Sequence, residues 1–255
     1  MVRIVTLLFL IFFNSQDTKD RFAHITDRKA RKIIKASIDH AGGIDRWENL
    51  KQLKYKKNFS LFDANGKLEK NYEQSHNYSF EMDRYTIKST VGNNFVQTSS
   101  NKGNYARTTV VTLDGRMTTQ KEDDQDKLAK AMNTSIYVVS MPFKLLDPGA
   151  DISYEGELTL EDGSVVDVIQ VVYDADKYEN HSSSEIWKYY FDKEDRKIVG
   201  NWIQSADHFN VVENLSFIRV DGILFNGKRK SWRIDEDGKI LFIRAEYDYF
   251  DYEVY

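Results

Sequence analysis

Six Asn-Gly or Asp-Gly pairs stand at Asn65-Gly66, Asp114-Gly115, Asp162-Gly163, Asp221-Gly222, Asn226-Gly227 and Asp237-Gly238, and they say more about the architecture than any other feature of the chain. A two-residue hairpin turn needs positive φ, which Gly, Asn and Asp adopt at least cost. Such pairs between segments of alternating apolar and polar residues predict an antiparallel meander. The alternation runs from Lys51 onward. Trp187, Tyr189 and Phe191 fall opposite Lys188 and Asp192, while Leu241, Ile243, Ala245, Tyr247 and Tyr249 fall opposite Arg244, Glu246 and Asp248. Val165 to Tyr173 is apolar almost throughout and reads as a central strand covered on both faces.

Two segments break the period of two. Ala30, Ile33, Ile34, Ser37, Ile38 and Ala41 recur at three- and four-residue intervals, which predicts a helix over 26–41 with Thr26 as its cap and Gly42-Gly43 closing it in a left-handed conformation. Ile44, Trp47 and Leu50 then suit a turn or two of helix leading into the first strand. In mid-chain, Asp123-Asp124-Gln125-Asp126 places acid at a helix start, and Leu128, Met132, Ile136, Val139, Phe143 and Leu146 follow at helical spacing. Pro142 should kink or restart that helix, and Pro148-Gly149 should end it before a strand near Ile152. The fold class is therefore α+β: a strongly curved antiparallel half-barrel of about ten strands, with an N-terminal helix and a mid-chain helix covering its concave apolar face.

At 255 residues and 41% hydrophobic composition the chain can bury one sizeable core. Residues 17–255 read as a single domain. The start has the three parts of a secretory signal: Met1-Val2-Arg3, the apolar run Ile4 to Phe13, then Asn14-Ser15-Gln16. Ten apolar residues are about half a membrane span, so residues 1–16 read as a signal peptide. With no Cys after the run, the expectation is an exported soluble protein, periplasmic or outer-membrane-associated, not a lipoprotein, with only transient membrane contact.

The absence of Cys excludes disulfides, Cys-ligated zinc and a thiol nucleophile. A net charge of −4 supplies no field for nucleic acid. Lys228-Arg229-Lys230-Ser231-Trp232-Arg233, which interleaves basic and aromatic residues, reads instead as an edge or outer-face strand guarded by its charge. The histidines at 24, 40, 76, 181 and 208 are scattered and read as surface or capping residues, so no metal site is assigned. Asp174, Asp176 and Glu185 partly mimic a calcium loop, but Glu179 holds the position where the loop needs Gly, which favours a solvated acidic loop. No nucleophile elbow, phosphate loop or dinucleotide fingerprint occurs, so neither a catalytic residue nor a cofactor is assigned.

The run Ile136 to Gly149, with its Met141-Pro142-Phe143-Lys144-Leu145-Leu146-Asp147-Pro148-Gly149 core, is followed by Trp187-Lys188-Tyr189-Tyr190-Phe191-Asp192 and Val220-Asp221-Gly222-Ile223-Leu224-Phe225. Together they resemble a family of exported Bacteroidetes proteins of unknown function. That family is similar to the LolA and LolB lipoprotein carriers, whose half-closed antiparallel barrel has helices over its open side. The resemblance implies the fold over 17–255 and supplies no catalytic residue.

What remains is an apolar and aromatic set: Tyr137, Met141, Phe143, Leu145 and Leu146 on the middle helix, with Trp202, Phe217 and Trp232 on later strands. A half-barrel under a movable helix suits a flexible acyl chain. The leading expectation is a non-enzymatic binder or carrier of an apolar or amphiphilic ligand, such as a lipid or a lipoprotein acyl chain, held by these eight residues. The alternative is an envelope scaffold with a filled core that meets a protein partner through its outer face or through Glu246 to Tyr255.

Overall fold

Asp27 starts the first helix. Its carboxylate accepts from the backbone N–H groups of Lys29 and Ala30 at 2.8 and 3.0 Å, satisfying donors that a helix leaves unpaired. It also accepts from Tyr154 N at 2.9 Å on a neighbouring strand, a reach that the expected cap, Thr26, does not make. Helix α1 runs Arg28–His40 and buries Ala30, Ile33, Ile34, Ser37 and Ile38. Gly42 at φ +125° and Gly43 at φ +86° then turn the chain, as the sequence predicts. The short helix α2, Ile44–Glu48, follows.

The computed structural model describes residues 20–82, 84–91, 94–101, 110–113, 116–119, 132, 134–147, 150–173, 186–205 and 208–255. The strands are β1 Gln52–Phe62, β2 Leu68–Ser79, β3 Arg84–Val91, β4 Asn94–Asn101, β5 Val110–Leu113, β6 Arg116–Thr119, β7 Ala150–Thr159, β8 Val165–Tyr173, β9 Ile186–Asp192, β10 Ile198–Gln204, β11 Phe209–Asn214, β12 Phe217–Val220, β13 Ile223–Asn226, β14 Lys228–Ile234 and β15 Ile240–Val254. All but β12 and β13 form one antiparallel sheet in the order β6-β5-β4-β3-β2-β1-β15-β14-β11-β10-β9-β8-β7. The sheet is curved and open, the expected half-barrel, though longer than about ten strands.

Strand β15 sits between β1 and β14 and joins the two halves of the meander. Glu246 to Tyr255 is therefore not a free acidic tail: Leu53 pairs with Val254, and Lys51 N donates to Tyr255 O at 2.6 Å. Likewise, β14 is an interior strand and not an edge; Lys228, Lys230 and Trp232 face outward while Arg229 and Ser231 are buried. Strand β8 is covered on both faces as expected, but it lies one place in from the β7 edge, not at the centre. Of the turn pairs, Asn65-Gly66, Asp162-Gly163, Asp221-Gly222 and Asp237-Gly238 join paired neighbours, and Asp114-Gly115 lies outside the described residues. Asn226-Gly227 makes no hairpin; Gly227 leads from β13 into β14, where an added Cβ would stand 2.5 Å from Ser216 Oγ.

Bulges alter the alternation that the sequence suggests. The register of β14 on β15 slips between Ser231/Ala245 and Trp232/Ile243, which points Leu241 and Ile243 outward, 54% and 37% exposed, while Ala245 and Tyr249 are buried. A second slip, near Asp251 at φ +51°, brings Tyr252 inward.

Two pieces cover the concave face. One is α1, whose end holds the β12–β13 hairpin: Leu224 N donates to Ala41 O at 2.9 Å, and an added Cβ on Gly42 would stand 2.7 Å from Gly222 O. The other is the mid-chain segment, helical over 134–139 and resuming after Pro142 as a 3-10 turn, Phe143–Leu146. The restart at Pro142 is as expected, since proline cannot extend the hydrogen-bond ladder. The expected helix start, Asp123 to Leu128, lies outside the described residues. Phe143 stacks on Trp47 at 4.5 Å with planes 3° apart, and His24 Nε2 donates to Leu145 O at 3.1 Å. The cover is thus tied to both the N-terminal residues and α2.

Candidate functional site

Between this cover and the sheet lies a cavity of about 30 Å³. A space of that size holds about two water molecules and no acyl chain. Its apolar wall comes from Tyr137, Val138, Met141 and Pro142 on the cover, with Phe217 and Leu224 on the hairpin. Its polar wall comes from Ser37 of α1, Trp187 of β9, Asn201 of β10 and Arg229 of β14.

The polar wall is unusual in being rich in donors. Trp187 Nε1, Asn201 Nδ2 and Ser37 Oγ are buried and have no hydrogen-bond partner. Arg229, 7% exposed, donates from Nε to Asn214 Oδ1 at 2.7 Å and from Nη2 to Asn201 Oδ1 at 3.4 Å. Both acceptors are neutral amides, and among the described residues no carboxylate pairs with this guanidinium. Further along the same face, Lys57 Nζ lies over the rings of Phe59, Tyr247 and Tyr249 at 5.3, 5.9 and 5.9 Å. Burial holds its ammonium below the ordinary lysine range, and Arg229 depresses it further. The inner face of the sheet therefore carries two basic side chains, Arg229 and Lys57, among neutral and aromatic partners.

A hydroxyl network adjoins these cations. His76, 2% exposed, hydrogen-bonds through Nδ1 to Tyr85 OH at 2.6 Å, and Tyr85 OH to Tyr55 OH at 3.0 Å. Burial pushes both tyrosines up and the imidazole well below its usual value. His76 is thus a core residue and not the surface or capping histidine that its isolation in sequence suggests. Among the described residues no three His, Asp or Glu side chains gather as a metal site. The 174–185 loop lies outside the described residues.

Of the eight candidate ligand residues, the structure brings Tyr137, Met141 and Phe217 to the cavity. Tyr137 OH bonds Tyr189 OH at 2.7 Å. Phe143, Leu145 and Leu146 pack behind them, the first two buried. Trp202 and Trp232 stand on the opposite face. The reason is a bulge: Ile198 pairs with Phe191 but Gly200 with Tyr190, so Asn201 points inward and Trp202 outward. Trp202 pairs with Val211, which pairs with Trp232, and Lys188 and Lys230 lie over the two indoles at 5.4 and 5.9 Å. Sequence reasoning missed Ser37, Trp187, Asn201 and Arg229. A signal for Arg229 was present in its alternation with Lys228 and Lys230.

A wider groove of about 670 Å³ crosses the outer face of β1, β2, β3 and β15, lined by Lys54, Lys56, Asn77 and Arg84 with Asp251 and Glu253. Its charges are partly matched, Lys56 with Asp251 at 2.9 Å and Lys54 with Glu253 at 3.6 Å. It is larger than the inner cavity but has no buried donor lacking a partner. The inner cavity is the stronger site because its chemistry is incomplete without an acceptor.

No family model matches the sequence, and no curated protein matches it. Among the described residues no helix is long and apolar enough to cross a membrane. Solved structures do resemble it. A DUF1329 family protein from Desulfovibrio piger is 10% identical, with 90% of this chain and 94% of that chain covered at a TM-score of 0.58. A LolA superfamily protein from Nitrosomonas europaea is 8% identical, with 89% and 93% covered at a TM-score of 0.52. At these identities the likeness is one of fold, and the chain has a LolA-like half-barrel.

Proposed function

We propose that this protein is a non-enzymatic, exported binder or carrier of an apolar or amphiphilic ligand, a lipid or the acyl part of a lipoprotein, held between the sheet and its helical cover. The observation that carries this reading is the inner cavity: apolar on the side of Met141 and Phe217, and lined on the other by buried donors that lack an acceptor. The space of about 30 Å³ is too small for an acyl chain. Loading requires the 134–147 segment to move, with each methylene taken from water contributing ~0.8 kcal/mol. The fold likeness to a LolA superfamily protein supports the reading. Export to the periplasm rests on the form of residues 1–16, which lie outside the described residues. Native mass spectrometry with organic extraction, on protein recovered from the envelope of an exporting host, tests it. A lipid adduct at near one-to-one level is expected; a bare mass that also fails to shift with added fatty acid overturns it.

One observation favours a second reading, an envelope scaffold with a filled core: the outer groove is many times larger than the inner cavity. On that reading the bare mass is the expected result.

A further inference from the structure

Arg229 is buried among neutral partners. A guanidinium withdrawn from water costs several kcal/mol unless a counter-charge meets it. The two amide oxygens that it bonds, on Asn214 and Asn201, supply dipoles but no charge. The Nδ2 of that same Asn201, 2% exposed, lines the cavity with no acceptor, as does the Nε1 of Trp187, 7% exposed. Ser37 Oγ, also without a partner, reaches the same space from α1. These donors come from four separate elements: α1, β9, β10 and β14.

We infer that this cavity is a receptor for a single carboxylate, the head of an amphiphile whose alkyl chain leaves past Met141 and Phe217. A carboxylate brings the missing charge to Arg229 and acceptor lone pairs to Trp187, Asn201 and Ser37. A planar carboxylate asks less of that space than a tetrahedral phosphate does. The apolar half of the wall then begins where the head ends. The inference rests on the carrier reading and narrows it from apolar ligands in general to carboxylic amphiphiles, fatty acids above all.

The test compares dodecanoate with methyl dodecanoate on the full chain, by calorimetric titration at pH 8, and repeats both on Arg229→Met and Asn201→Ala with folding checked by circular dichroism. Hydrogen bonds to a charged group set the scale, so dodecanoate should bind about tenfold or more tighter than its ester. Arg229→Met, which removes the charge, should abolish most of that ratio, and Asn201→Ala should weaken the binding of dodecanoate. Equal binding of acid and ester by the unaltered protein overturns the carboxylate receptor and leaves the carrier reading standing. Binding of neither overturns the carrier reading and the receptor with it. The acid-to-ester ratio of the unaltered protein is decisive even if a variant fails to fold.

Discussion

Truncating Phe143 to Ala separates a packed cover from a loosely attached lid. The ring is 4% exposed and stacks on Trp47 at 4.5 Å with the planes 3° apart. Removing it forfeits about 2 kcal/mol of transfer free energy. The void left is at most about 100 Å³, which at ~24 cal/mol per Å³ adds about 2.4 kcal/mol if the site does not collapse. The lost stack contributes about 0.5–1.5 kcal/mol more. The loss therefore runs from about 3 kcal/mol if the site collapses fully to about 5–6 kcal/mol if it does not collapse, and partial relaxation puts it near 4 kcal/mol, within the usual range for a buried Phe→Ala change. For a domain of this size it should lower the melting temperature by about 10–15 °C. Leu146→Ala, on the same segment but only half-buried, should cost about 1 kcal/mol. Urea denaturation followed by tryptophan fluorescence measures both. A Phe143→Ala loss under about 1 kcal/mol refutes the packing argument, because a ring so enclosed cannot be removed cheaply unless the segment is already detached.

Three other outcomes follow from the contacts. Asp27 accepts from three backbone donors on two elements, so Asp27→Ala should cost about 2 kcal/mol and expose the β7 edge, read by denaturation and by amide exchange at Tyr154. Burial holds His76 well below its ordinary value of 6.5, with the Lys57 ammonium adding to the effect. The unfolded chain takes up a proton near that value and the folded one does not, so this stability is complete above it and lost as pH falls below it. The slope should approach about 1.4 kcal/mol per pH unit, and a His76→Gln protein should lack that component. Removing residues 250–255 cuts β15, which lies between β1 and β14, and should abolish the cooperative thermal transition; retention of a folded sheet would contradict the register.

Much of the fold was legible because it rests on local chemistry. The helix pattern of Ala30 to Ala41, the paired glycines after it and four of the turn pairs each act within a few residues. What escaped was decided by longer-range geometry. A bulge does not announce itself in composition, yet the slip beside Ile198 turned Trp202 out and Asn201 in, and the slip beside Ala245 did the same to Ile243. Strand order is equally silent in sequence: Glu246 to Tyr255 ends the chain and looks like a tail, but pairing with Leu53 puts it at the middle of the sheet. The polar wall of the cavity was missed for a related reason. Asn201 and Arg229 are individually ordinary, and become a site only when β10, β14 and α1 are brought together.

The carrier account is tested most directly by nuclear Overhauser contacts between dodecanoate and the ε-methyl of Met141, in protein labelled at its five methionine methyls. Met141 lines the cavity on its apolar side, so the account predicts cross-peaks from the alkyl chain to this methyl and a shift of the Trp187 Nε1 proton when the head binds. Cross-peaks confined to the exposed Met82 methyl, or an unshifted Met141 methyl at saturating ligand, would contradict it.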